Sequence, residues 1–358
     1  MTEVHHPGLA AEDLDVAPPS TLVLISSTVL CVAVAFAWIT LLHSWVPRSH
    51  RVTTKKTNVG IPKETSSGQQ SLRPTRSPGP NPAATPANDA EERAVQELRR
   101  LMQARDAALL SDAMQYAAPK ESETELLLRH LRARNTKPAS AMKMIITDLQ
   151  WRREKKVLEM RTCPADAVLG CDPAKVQSWF PHGMIGFDYK RRPVVYKNYG
   201  SFMPYKLLNE EILPHTTVQK LVDYDIWVTE RLVTLLPEEA QGFVVVLDLK
   251  DWSLWNLNTT GMWYCKALAD AGAPHYPERL GQMWIINAPM VFVGPFGKIK
   301  SWLDKRTQDK IHLLGPIESY RPKLEKAMPW SIIPKVAGGE ADLPVSGSFM
   351  STPPLLPG

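Results

Sequence analysis

Residues 276–315 read YPERLGQMWIINAPMVFVGPFGKIKSWLDKRTQDKIHLLG, and the fold class turns on how that stretch is parsed. It holds two short β-rich runs, Met283 to Asn287 and Ile311 to Leu314, with a longer segment between them. Upstream, Val194 to Tyr199 and Phe243 to Leu249 have the same character. The intervals carry helical periodicity instead, clearest in Val218, Leu221, Val222, Trp227, Leu232 and Leu235. Strands alternating with helices predict an α/β domain whose mainly parallel or mixed sheet is flanked by helices.

Ahead of the first strand the pattern is helical throughout. Val95, Leu98, Leu101 and Met102 recur at helical steps from about Asp89, and Leu127, Leu128 and Leu131 mark a second, shorter helix. Met142, Ile145, Ile146 and Leu149 share one face of a third, from Pro138 to about Lys155, with the proline acceptable in its first turn. These predict a helical bundle over 89–160 and a sheet-containing part over 161–340. The tail after Gly339 (341–358, ending STPPLLPG) reads as loose.

Residues 47–88 contain Pro62, Pro74, Pro78, Pro80, Pro82 and Pro86 among Ser, Thr, Lys and Gly, without apolar periodicity. Such a segment buries too little to offset the entropy of ordering and reads as a disordered tether. Before it, Leu22 to Leu42 run for 21 residues without Asp, Glu, Lys or Arg. At 1.5 Å per residue that is about 31 Å of helix, the thickness of a hydrocarbon core. A cleaved signal peptide would have a basic start and a shorter apolar run. A single transmembrane helix over 21–46 is therefore expected, behind a short tail of 1–20. Glu3, Glu12, Asp13 and Asp15 precede the run; Arg48, Arg51, Lys55 and Lys56 follow it. By the positive-inside rule the N-terminus is lumenal or extracellular and the remainder cytosolic, in a membrane such as the endoplasmic reticulum or the plasma membrane.

The net charge of +5 is spread along the chain and lacks the density of a nucleic-acid footprint. Four cysteines in 358 residues, none in CxxC spacing, exclude a disulfide scaffold and fit reduced thiols. There is no GxSxG, HExxH or GxGxxG. The nearest approach to a phosphate loop, Gly294 to Ile299, has Phe292 where the first glycine belongs and Ile299 where a magnesium-binding hydroxyl belongs. The histidines are scattered, and no metal or cofactor is expected. Asp248, ending the run FVVVLD, resembles a catalytic strand-end carboxylate but has no nucleophile or base beside it, so a structural role is favoured.

The opening stretch closely resembles the signature of the CRAL-TRIO, or Sec14-like, lipid-binding domains: YPERLG before a strand ending INAP, then a helix leading to LD, T, KI and LG. LLLRHLRARN at 126–135, VVVLDLKDW at 244–252 and the closing Ile333-Pro334-Lys335 with Gly338-Gly339 follow in family order, so the resemblance spans roughly 90–340. It implies one lipid held in an apolar pocket floored by the sheet and gated by a mobile helix. The implied gate is Val291 to Leu303, with Phe292, Val293, Phe296, Ile299 and Trp302 as its apolar surface and Gly294, Pro295 and Gly297 as hinge residues.

In phosphoinositide-binding members a small polar set holds the headgroup, and the matching positions here are Arg134, Glu278, Thr307 and Lys310. Arg and Lys suit phosphate, and Glu suits inositol hydroxyls. Four positions depart from the pattern. Asn135 replaces a lysine, Phe243 and Val245 replace the hydroxyl residues that receive phosphocholine, and Val336 replaces an acid in the closing motif. The resemblance thus implies a non-enzymatic phospholipid transfer protein that favours phosphatidylinositol and works at a membrane, with protein partners unspecified. The competing readings are a lipid-sensing or protein-recruiting module without transfer, and a binder of a retinoid- or tocopherol-like ligand.

Overall fold

Helix α1 (Asp89–Arg105) starts where Asn88 accepts the Glu91 N–H at 3.0 Å, and Asp89, Glu91 and Glu92 fill the turn that favours negative charge. These are among the first residues that the computed structural model describes; it covers 84–202, 207–238, 240–252, 264, 267–268, 274–290 and 305–343. Helix α2 (Leu109–Met114) follows, and α3 (Glu123–Arg132) opens on a reciprocal Ser122–Glu125 capping box. Pro138 stands in the first turn of α4 (Pro138–Glu154), where its missing N–H costs nothing. Leu98, Met102, Leu127, Leu128, Leu131 and Ile145 close the bundle's core, each at most 1% exposed. The chain leaves α3 through Asn135 and Thr136, both left-handed at φ 51° and 58°. Asn takes that conformation more readily than Lys, which gives the departure at Asn135 a local reason.

Three short helices come next, α5 (Val157–Thr162), α6 (Ala165–Leu169) and α7 (Pro173–Trp179), followed by strands β1 (His182–Phe187) and β2 (Pro193–Asn198). Then come α8 (Tyr199–Phe202), a π-helical turn (Leu207–Ile212) and α9 (Val218–Thr234). Strands β3 (Phe243–Asp248) and β4 (Leu280–Ile286), α10 (Lys305–Lys310), β5 (Ile311–Leu313) and α11 (Ile317–Ala327) complete the main elements. Among the described residues the strands form one sheet in the order β1-β2-β3-β4-β5, with β1 antiparallel to β2 and the other pairs parallel. The expected α/β fold with a mixed, helix-flanked sheet is what the chain adopts.

Both sheet faces are covered, so the central strands read as nearly continuous apolar runs. Val195, Phe243, Val245, Met283 and Ile285 pack with Leu169 of α6 and Leu221 and Trp227 of α9. Val194, Tyr196, Val244, Val246, Trp284 and Ile286 pack with Tyr320 and Leu324 of α11.

Several expectations need correction. Strand β1 was not anticipated, because HGMIGF offers two glycines and no clear alternation. It bulges between Met184 and Gly186, where φ is +140° and a Cβ would stand 3.1 Å from Ile332. Strand β4 starts at Leu280, ahead of the expected Met283. The end of the tether is held, since Arg132 donates to the Thr85 carbonyl at 3.0 Å. The start of the tail is held too, with Ala341 bridging Ile333 and Lys335 through backbone bonds of 2.9 and 2.8 Å. The expected membrane span, most of the tether, the implied gate and residues 344–358 lie outside the described residues. Among the described residues, no helix is long and apolar enough to cross a membrane.

Candidate functional site

Because β4 and β5 are parallel, the residues just before each strand meet at the same edge of the sheet. Glu278 precedes β4, in the turn Tyr276-Pro277-Glu278-Arg279, which is closed by the Arg279 N–H donating to the Tyr276 carbonyl at 3.2 Å. Proline in the second position and φ 59° at Glu278 in the third are the marks of a type II turn, whose third position ordinarily takes glycine. Lys310 ends α10 immediately before β5, and its Nζ donates to Glu278 Oε2 at 3.0 Å, with the side chains 19% and 8% exposed.

Both ends of that turn are fastened to buried carboxylates. The Tyr276 hydroxyl donates to Glu230 Oε1 at 2.6 Å, and Glu230, on α9, also accepts from Arg152 at 2.9 Å and Arg161 at 2.7 Å. Arg152 in turn donates to Asp148 Oδ2 at 2.9 Å, and the His275 ring meets Oδ1 of the same carboxylate at 2.9 Å. Arg279 donates to Glu121 Oε2 at 2.5 Å, and Arg129 of α3 donates to Oε1 at 2.8 Å. Burial alone would raise the Glu121 pKa, but the Arg129 and Arg279 guanidinium groups outweigh it and hold the carboxyl at about 2. Glu230 is lowered in the same way, its burial overcome by Arg152 and Arg161. Through these contacts the bundle and the α/β part are joined at the YPER turn.

Of the four implied headgroup residues, Glu278 and Lys310 are in direct contact. Arg134 lies just past α3, half-buried, with its Nη1 donating to the Ala133 carbonyl at 2.9 Å. It forms no ion pair with a described residue, and burial pulls its guanidinium pKa below the ordinary value. Its neighbour Arg132 is instead committed to Glu91 at 2.8 Å. Thr307 stands one turn before Lys310 on α10, and its side chain lies outside the described ones. Phe243 and Val245 are buried on the α9 side of the sheet, 6% and 5% exposed. The gate residues Phe292, Val293, Phe296, Ile299 and Trp302 lie outside the described residues.

Asp248 is fully buried at the carboxyl end of β3, accepting from the Tyr196 hydroxyl at 2.7 Å, Asn287 Nδ2 at 2.9 Å and the Lys250 N–H at 2.8 Å. Burial and this carboxylate push the Tyr196 phenol well above its ordinary pKa, so the pair ties strand ends together. Among the described residues, no group of three or more His, Cys, Asp or Glu is arranged to hold a metal ion. Sequence reasoning missed Glu121, Glu230, Tyr276 and Arg279 as a set. The one signal was Arg129-His130 inside the apolar run LLLRHL, because a charged side chain on a buried helix face needs a partner.

Residues 180–339 match the family model of the CRAL/TRIO domain. The chain is 30% identical over 291 residues to the SEC14 cytosolic factor of Candida glabrata, covering 78% of this chain and 88% of that protein. It is 28% identical over 244 residues to the Sec14 cytosolic factor of Schizosaccharomyces pombe, covering 65% and 82% respectively. Against the phosphatidylinositol/phosphatidylcholine transfer protein SFH9 of Arabidopsis thaliana it is 27% identical over 271 residues, which is 74% of this chain but only 43% of the plant protein.

Proposed function

The chain belongs to the CRAL/TRIO family, and on that premise we propose that it binds phosphatidylinositol in a gated apolar pocket and exchanges it at membranes. The observation that carries this reading is the Glu278–Lys310 pair at the edge of the sheet, 3.0 Å apart and mostly shielded from water. An ammonium and a carboxylate side by side offer a donor to a phosphate oxygen and an acceptor to an inositol hydroxyl. Arg134, half-buried and without a carboxylate among the described residues, supplies a second cation, and Thr307 a hydroxyl. The acyl chains enter an apolar cavity whose gate, as the family resemblance implies, carries Phe292, Val293, Phe296, Ile299 and Trp302. No bond is made or broken in the cycle. Relatives named for phosphatidylinositol and phosphatidylcholine transfer support the lipid class. Phe243 and Val245, apolar where the family has hydroxyls, favour phosphatidylinositol within it. The Leu22 to Leu42 run supplies a single-pass anchor, with the tether and the lipid-binding part, about 89–340, on the cytosolic side.

Vesicle-to-vesicle transfer by the reconstituted full chain tests the headgroup assignment. A charge-assisted hydrogen bond contributes roughly 1.5 to 3 kcal/mol, so Lys310→Ala lowers phosphatidylinositol transfer about ten- to a hundredfold while the thermal melt stays cooperative. Transfer at the parent rate by a folded Lys310→Ala chain refutes the assignment.

A further inference from the structure

We infer that Glu121 and Tyr276 are positioning residues: by clamping the two ends of the Tyr276–Arg279 turn, they hold Glu278 left-handed and aim its carboxylate at the headgroup site. The inference deepens the reading of Glu278 as a headgroup ligand and rests on it. A non-glycine residue in the third position of a type II turn relaxes elsewhere unless its surroundings fix it. Here they do so from three sides. Arg279 is held through Glu121 at 2.5 Å, with a further bond from its Nη1 to the Gln241 carbonyl at 2.9 Å. The Arg279 carbonyl accepts the Phe243 N–H at 2.9 Å, so the turn is also continuous with the sheet. Tyr276 is held through Glu230 at 2.6 Å. Glu121 precedes α3 and Glu230 belongs to α9, so the conformation of one ligand-facing residue is set by the docking of the helical bundle on the α/β part. A glycine in place of Glu278 would need no such clamps.

The experiment uses the full chain reconstituted in vesicles of equimolar phosphatidylinositol and phosphatidylcholine, reading the ratio of the two lipids bound. Glu121→Gln weakens the Arg279 clamp, and Tyr276→Phe, which loses one hydroxyl and keeps the ring, weakens the other. Coupling through packed neighbours of this kind shifts the ratio toward phosphatidylcholine by about two- to thirtyfold. Asp248→Asn, at the opposite end of the parallel strands, removes a buried carboxylate too, and it lowers the melting temperature without moving the ratio. In a Glu278→Gln background, Glu121→Gln no longer shifts the ratio, because the carboxylate it positions is gone. A ratio that Glu121→Gln and Tyr276→Phe change no more than Asp248→Asn does, while Glu278→Gln alone lowers it, overturns the positioning role and leaves the headgroup reading standing. A ratio unmoved by Glu278→Gln overturns both.

Discussion

Glu278 holds a left-handed backbone conformation, φ 59°, that costs a residue with a Cβ roughly 1 to 2 kcal/mol, and it persists because its surroundings fix it. Its carboxylate meets Lys310, and the pair together presents complementary charge at the sheet edge. Glu278→Gly separates the two effects. Relief of the left-handed conformation offsets the lost ion pair, so the melting temperature stays within a few degrees of the parent while phosphatidylinositol binding drops about tenfold or more. A large loss of stability with binding intact contradicts this. At this scale Glu278 and Lys310 were legible because each sits in a short motif of fixed order. Arg134 was read as the basic position of LRAR; in the structure its neighbour Arg132 pairs with Glu91. The reason for Asn135 was not legible, since its left-handed φ of 51° belongs to the turn that leaves α3.

Elements long enough to repeat their apolar period were read within a few residues: α1, α3, α4, α9 and the Val-rich strands β2 and β3. Helices α5, α6 and α7 span six, five and seven residues and complete at most two turns, so no periodicity can accumulate. Apart from Arg129-His130 in the run LLLRHL, the junction between bundle and sheet left no mark in the sequence, for another reason. Its partners are far apart in sequence, and nothing local marks Glu121 or Glu230 as buried. Buried ionisable groups, at that junction and on β1, also make the fold acid-sensitive. Burial, reinforced by Arg129, holds the His130 imidazole at about 3, and burial holds that of His182, on β1, at about 4. Both lie below the value of 6.5 in an unfolded chain, so on acidification the unfolded state takes up protons first. The stabilisation is complete above about pH 6.5 and is lost as pH falls toward the folded values, at about 1.4 kcal/mol per histidine for each pH step. Below about pH 4.5 Glu121 adds to the loss, its folded-state value being near 2. Thermal melts from pH 7 to pH 4 therefore shift steadily downward, and a flat profile contradicts the buried neutral histidines.

For the whole molecule, cytosolic exposure of the lipid-binding part is the premise on which exchange depends. The one Asn-x-Ser/Thr site is Asn258-Thr259-Thr260. In the positive-inside orientation it never meets the glycosylation machinery. The full chain expressed in secretory-pathway membranes migrates unchanged after glycosidase treatment, and a mass shift abolished by Asn258→Gln reverses the topology. Most directly, the central claim is tested by the lipid that accompanies the protein. Mass spectrometry of the full chain captured from cellular membranes, with bound lipid extracted and identified, yields phosphatidylinositol at one per chain, falling in Lys310→Ala. Phosphatidylcholine in equal measure, or an uncharged retinoid- or tocopherol-like molecule in its place, contradicts the account.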